Sequence, residues 1–330
     1  MPDRLGPPRE APLFERLAIV GVGLIGSSIA RAARHLNLAR TIVAIDRDEG
    51  VVARVRELGF ADESTSDAAA GAAGADFVIL CVPVGAYEAV TRTLANGLKP
   101  GAIVSDVGSV KGSVITQVQP HLPEGVHFVP AHPVAGTEHS GPDAGFATLF
   151  FNRWCILTPP EGADPAAVER VVSFWTALGS NVEIMTAQHH DLVLAITSHV
   201  PHLIAYNIVG TAADLETVTQ SEVIKFSAGG FRDFTRIAAS DPTMWRDVFL
   251  HNKDAVLEML ARLNEDIALL ARAIRWGEGE KLHAHFTRTR AIRRSIISLG
   301  QETAEPDFGR RREPPQEPAA AEADPEPGKP

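Results

Sequence analysis

Hydrophobic positions along this chain follow two regimes that change near Ala187. Before that point, short unbroken apolar runs of strand length alternate with stretches of helical spacing, the pattern of successive parallel strand–helix–strand units. The runs predict strands at Leu17 to Val20, Thr41 to Ile45, Phe77 to Val82, Ile103 to Asp106, His127 to Val129, Trp154 to Leu157 and Val182 to Met185. Helices are expected between them, notably Val51 to Leu58, Tyr87 to Leu94 and Pro165 to Leu178. Runs such as FVILCV lack polar alternation, so both sheet faces should be covered. Beyond Ala187 the strand-like runs stop. Trp245, Phe249, Val256, Leu260, Leu263, Ile267, Leu270 and Ile274 recur there at helical intervals, with charges between them. Such a stripe is buried against a helix of the same domain or of a second subunit, so a homodimer is expected. The fold class is thus an α/β Rossmann domain over residues 16–186 followed by an all-α domain over 187–300. Residues 1–15 read as a flexible lead, and 301–330, dominated by Pro, Glu and Ala, as a tail with too little apolar surface to offset its ordering entropy.

The stretch LAIVGVGLIGSSIARAA, Leu17 to Ala33, organises the first domain. An apolar strand meets Gly21, Gly23 and Gly26 and continues into helix-forming residues. Gly21 supplies a backbone angle closed to other residues, Gly23 lets the main chain approach a pyrophosphate, and Gly26 lets helix and strand pack closely. The anion would sit on the helix N-terminus beside Leu24 and Ile25, where free N–H groups point outward. The next strand ends in Asp46, about twenty residues on, where a carboxylate holds a ribose 2′-hydroxyl and repels a 2′-phosphate. NAD is therefore favoured over NADP, with Arg47 as a neighbouring cation that softens the repulsion.

Composition narrows the classes. The 330 residues are 45% apolar, enough for two cores. A formal net charge of −10 argues against a nucleic-acid partner. The two cysteines, Cys81 and Cys155, fit a reducing, cytoplasmic setting rather than a disulfide framework. The N-terminus lacks the apolar core of a signal peptide, and no uncharged run reaches the length of a membrane span.

In a doubly wound sheet, ligands bind beyond the carboxyl ends of the strands, so Val82, Pro83, Asp106 to Ser109 and Ala131 onward should converge on the cofactor. VPAHPVAGTEHSG, Val129 to Gly141, follows a predicted strand end and is rich in turn residues; its His132 can accept a proton near neutral pH, or merely bond a loop carbonyl. In DVGSVKG, Ser109 can donate to substrate or nicotinamide, or cap the next helix. SHVPH places His199 and His202 one turn apart in a helix interrupted by Pro201, but neither a third ligand at a recognisable spacing nor HExxH accompanies them, so no metal is expected. Arg232, Asp233 and Arg236 follow a glycine hinge; a guanidinium there suits bidentate capture of a carboxylate, while Asp233 and Arg236 at i and i+3 also fit a local helix pair.

GVGLIG with Asp46, DVGSVKG, AHPVAGTEHSG, SHVPH and GGFRDFTRIAASDPTMWRD, in that order, closely resemble the prephenate/arogenate dehydrogenase family of tyrosine biosynthesis, from about Leu17 to Gly300. The resemblance implies NAD-dependent oxidative decarboxylation of prephenate to 4-hydroxyphenylpyruvate, with arogenate, or both substrates, as the alternative. It implies that His132 bonds the ring C4 hydroxyl, that Ser109 lies beside it, and that Arg236 binds a substrate carboxylate. It places His202 and Glu138 in the pocket lining, with Asp233 supporting Arg236. Glu138 is also the acidic residue that would favour arogenate, unless it pairs with Arg236. Fusion to a mutase or a regulatory domain does not fit the short lead and the polar tail, so any tyrosine feedback would act at the active site. Two other classes stay open. A β-hydroxyacid dehydrogenase would rely on a lysine base in its helical domain, and a dinucleotide-sensing module would need no aligned base and carboxylate clamp.

Overall fold

The computed structural model describes residues 5–137, 139–219 and 229–298. Six parallel strands, β1 (Phe14–Val20), β2 (Ala39–Ile45), β3 (Glu63–Thr65), β4 (Phe77–Leu80), β5 (Ile103–Asp106) and β6 (His127–Phe128), form one sheet in the order β3-β2-β1-β4-β5-β6. This is the doubly wound order, with the switch point between β1 and β4. Successive side chains of β1 serve opposite cores: Leu17 and Ile19 pack with Ile29, Phe77 and Phe174, whereas Ala18 and Val20 pack with Val78, Tyr87 and Val104. That division explains why the strands read as unbroken apolar runs.

Helices α1 (Leu24–His35), α2 (Glu49–Leu58), α3 (Ala68–Ala72), α4 (Tyr87–Leu94) and α5 (Gly112–Val118) connect or follow the strands. A second sheet, β7 (Ala131–Pro133), β8 (Trp154–Leu157) and β9 (Asn181–Ile184), has the order β7-β8-β9, with β7 antiparallel to β8 and α6 (Pro165–Ala177) crossing from β8 to β9. The expected strands at Trp154 and Val182 therefore leave the main sheet. His132 lies on β7, opposite Ile156, rather than in the turn-rich loop expected for it. Pro133 permits this because it follows His132 and favours an extended conformation there.

The expected lead to Glu15 gives its last two residues to β1. Phe14 is 2% exposed and stacks on Phe77 at 4.7 Å, with Phe174 edge-on at 6.1 Å. Leu5 is also buried, and the Arg9 and Leu13 amides donate to Leu36 and Leu38.

The helical part comprises α7 (Ala187–Leu194), a π-helical turn (Ala195–His199), α8 (Val200–Thr219), α9 (Gly229–Thr235), α10 (Pro242–His251), α11 (Lys253–Arg275) and α12 (Gly279–Ser298). Ala187–Asp214 runs as one helix of 28 residues, and an 18-residue window within it has mean hydropathy 1.5, so by length and composition alone this segment is long and apolar enough to cross a membrane. The expectation that no uncharged run reaches the length of a span is thereby corrected, since Leu192 to Ala213 holds no Asp, Glu, Lys or Arg. In the structure the wide turn at Ala195–His199 precedes the proline, and the helix continues through it. The stripe from Trp245 to Ile274 is divided at Asn252 into α10 and α11; Trp245 and Val256 are buried, but Ile267 and Ile274 are exposed. In compactness, one unit runs to Ala271 and a second begins at Arg272, so the helices from Ala187 to Ala271 share a unit with the sheet.

Candidate functional site

The glycine loop is built as a backbone cradle. Gly21 has φ +91°, and a Cβ there would lie 2.5 Å from the Cys81 carbonyl oxygen, with Val82 alongside. At Gly26 a Cβ would collide with the Gly21 carbonyl. At Gly23 it would meet nothing, and no side chain caps the start of α1, where Leu24 is buried and Ile25 half-buried. A loop that is crowded beneath and open above, ending on uncapped helical N–H groups, fits a diphosphate. Asp46 accepts from the Val22 amide at 2.9 Å and the Asp48 amide at 3.1 Å, which aims the carboxylate at the loop and leaves acceptor capacity for a hydroxyl. Pro83 is exposed just past β4.

Beyond β5, a buried polar frame ties two strands together. Lys111 and Asp106 form an ion pair with both side chains fully buried. The Lys111 ammonium also donates to the Ala131 carbonyl at 2.8 Å, and Asp106 accepts from the Gly108 and Ala131 amides. Ser109 sits half-buried in this loop. It does not cap α5; that role falls to Asp191 of α7, whose carboxylate oxygens accept from the Lys111 amide at 2.8 Å and the Gly112 amide at 2.9 Å.

His132, 6% exposed, is the centre of a histidine cluster. Its Nδ1 lies 2.8 Å from His190 Nε2, and His190 Nδ1 lies 2.8 Å from Asp191 Oδ1. Burial pushes the His132 ring well below the ordinary imidazole value, and His190, Lys111 and His199 add to the effect. His190 is lowered by burial against the pull of Asp191. His199 is driven by burial down to about 4. The Ser109 backbone lies beside the His199 ring, and Asn252 bridges His199 Nδ1 at 3.1 Å and the Asp191 carbonyl at 2.8 Å.

His202 donates from Nδ1 to the Ser198 carbonyl and stacks on Trp245 with centroids 3.6 Å apart. Burial lowers it, and the Arg236 guanidinium is close enough to lower it further. His199 Nε2 and Trp245 Nε1 are buried without a hydrogen-bond partner among the described residues. Each such atom costs about 1–3 kcal/mol, which a polar ligand would relieve.

His132 thus bonds His190, and His190, His199, His202 and Arg236 each lie near enough to act electrostatically on the next, with the Ser109 backbone beside His199. Asp233 is exposed on α9, and Glu138 lies outside the described residues. His199 and His202 point to different partners, and no group of three His, Cys, Asp or Glu among the described residues is arranged to hold a metal. The sequence motifs assigned no role to Lys111, His190, Asp191 or Asn252. The adjacent pair His190–Asp191 at the start of a helix was the available signal. Separately, an open cavity of about 480 Å³ lined by Pro159, Pro165, Val172 and Ile184 contains none of these residues.

Comparison with known proteins gives concordant matches. The prephenate dehydrogenase nucleotide-binding domain matches residues 29–184, and the prephenate dehydrogenase dimerization domain matches residues 186–288. A cyclohexadienyl dehydrogenase of Zymomonas mobilis is 42% identical over 86% of this chain and 97% of its own length. A prephenate dehydrogenase of Bacillus subtilis is 34% identical over 89% of this chain and 79% of its own. Among solved structures, prephenate dehydrogenase of Aquifex aeolicus in complex with hydroxyphenyl propionate and NAD+ is 34% identical, with a TM-score of 0.81 over 86% of this chain and 98% of that one.

Proposed function

The chain belongs to the prephenate dehydrogenase family, and on that premise we propose that it is an NAD-dependent enzyme converting prephenate to 4-hydroxyphenylpyruvate and CO2 in tyrosine biosynthesis. The observation that supports the reading is the run of side chains from buried His132 on β7 through His190 and His199 to half-buried His202 and Arg236, each near enough to act electrostatically on the next. Gly21, Gly23, Gly26 and Asp46, with Leu24, Ile25, Val82 and Pro83 around them, would hold the dinucleotide. When bound, NAD+ supplies the acceptor for the hydride that leaves C4.

The residues divide the remaining work. Loss of hydride builds positive character at the carbinol carbon, and His132 offsets it by accepting the hydroxyl proton, with Ser109 bonding the same hydroxyl. Its depressed basicity keeps the imidazole neutral, and therefore competent, at pH 7. Arg236 holds a substrate carboxylate, Asp233 supports it, and His202 and Glu138 line the pocket. Loss of the C1 carboxylate then yields an aromatic ring and needs little further help. The Zymomonas relative's name favours a second reading, in which the enzyme accepts arogenate as well.

We further propose a homodimer in the cytoplasm. Ile196 and Ile208 on the long helix and Leu257 and Ile267 on α11 are exposed apolar residues that a second copy would cover. Tyrosine feedback would act by competition with prephenate, which steady-state inhibition kinetics would display.

The test is NADH formation by purified protein with prephenate and arogenate offered separately. His132→Asn should lower kcat by about 10²–10⁴-fold, the usual range for a general base. Arg236→Gln should raise the prephenate KM by at least about tenfold, the worth of a charge-assisted hydrogen bond. Unchanged kcat in the first variant, with unchanged KM in the second, would refute the assignment.

A further inference from the structure

The hydrogen bonds around His132 determine which of its nitrogens carries the proton, given its role as base above. Asp191 anchors the chain. Burial works to raise its carboxyl, but the His190 bond and the amides of Lys111 and Gly112 more than offset this and leave it lowered. It is therefore ionised and acts only as an acceptor. Hence His190 Nδ1, 2.8 Å from Oδ1, bears the ring proton. His190 is neutral at pH 7, so its Nε2 carries a lone pair. His132 Nδ1, 2.8 Å from that lone pair, must donate to it.

We propose that Asp191 and His190 are positioning residues that lock His132 in the Nδ1–H tautomer, leaving its Nε2 lone pair as the acceptor for the substrate hydroxyl proton. In the step, the hydroxyl proton moves to Nε2. The O–H electron pair becomes the new C=O bond as hydride leaves C4 for the dinucleotide. His132 then carries two ring protons, and its Nδ1–H remains bound to a His190 ring that Asp191 holds in place. The Lys111 ammonium from the β5–α5 loop and the His199 ring from the π-helical turn are the other ionisable groups acting on His132, with Asp106 neutralising Lys111. Because Asp191 also caps α5, the same carboxylate sets His132 and the loop that bears Ser109.

Nitrogen NMR of histidine-labelled enzyme at pH 7.5 tests the tautomer without altering the relay, with His132 assigned by difference against His132→Asn. A protonated Nδ1 and bare Nε2 are expected; a proton on Nε2 of neutral His132 would overturn the proposal. In kinetics, His190→Leu removes the acceptor and should lower kcat about 100-fold, with the prephenate KM within about threefold of wild type. His190→Gln offers a carbonyl to the Nδ1 proton and should recover about tenfold of that loss. Equal kcat for the Leu and Gln variants, or wild-type kcat in both, would also overturn it. Failure of the underlying reading looks different: His132→Asn itself would then retain kcat.

Discussion

Gly23 and Gly26 stand one helical turn apart and answer to different constraints. Gly26 is internal to the fold, because any side chain there meets the Gly21 carbonyl and the Ile19 methyl. Gly23 faces open space at an ordinary φ of −79°, so an added methyl strains nothing in the chain itself. Gly26→Ala should therefore destabilise the protein by about 1–3 kcal/mol, the cost of overpacking. Gly23→Ala should leave the unfolding free energy from urea titration within about 0.5 kcal/mol of wild type. It should nonetheless raise the NAD+ KM at least about tenfold, because the methyl would occupy the place of the pyrophosphate. Normal NAD+ affinity in Gly23→Ala would show that the dinucleotide does not lie across this loop.

Between elements, the Lys111–Asp106 pair does what neither strand does alone. It joins the end of β5 to the start of β7, and so fixes the Ser109 loop relative to His132. Lys111→Met would leave the Asp106 carboxylate buried without its counter-ion, which costs about 3–5 kcal/mol; equilibrium urea unfolding would measure the loss. Adding Asp106→Asn should return part of it, and a double variant no more stable than the single would argue against a charge effect. This frame also marks the limit of what could be read from the chain. β1, β2, β4 and β5 were legible because Leu17 to Val20 and Phe77 to Leu80 are apolar at every position, as two-sided burial requires. β3 and β7 were not: Glu63–Thr65 is a polar edge strand, and Ala131–Pro133 is three residues paired to β8 across a long connection. The glycine loop announced itself locally. The His190–Asp191 relay did not, since its meaning depends on a packing of α7 against α5 that no local pattern encodes.

For the molecule as a whole, the histidine cluster couples catalysis to stability through pH. His132, His190 and His199 are buried, and burial is the leading cause that holds each below its ordinary value. In the unfolded chain they titrate near 6.5. A histidine lowered in the folded state takes up its proton more readily when unfolded, so its contribution to stability is complete above about pH 6.5 and declines as pH falls below it. The decline is at most about 1.4 kcal/mol per pH unit for each ring, and for His199 it continues to its folded value of about 4. Asp191 has the opposite sense. Its lowered carboxyl stabilises the fold above the ordinary carboxylate range and weakens it only as pH drops below that range, so the interval from 6.5 to 4 belongs to the histidines. Urea midpoints should therefore be flat from pH 8 to 7 and fall steeply from 6.5 to 5, with the slope reduced by about a quarter in His199→Gln, one of four lowered rings, His202 included, being gone. Activity should persist lower than the pH at which an ordinary imidazole base would be protonated, so that the acid limb of kcat follows unfolding rather than titration of His132. A kcat that halves near pH 6.5 while the urea midpoint is unchanged would mean that His132 is hydrated and of ordinary basicity, contrary to its burial.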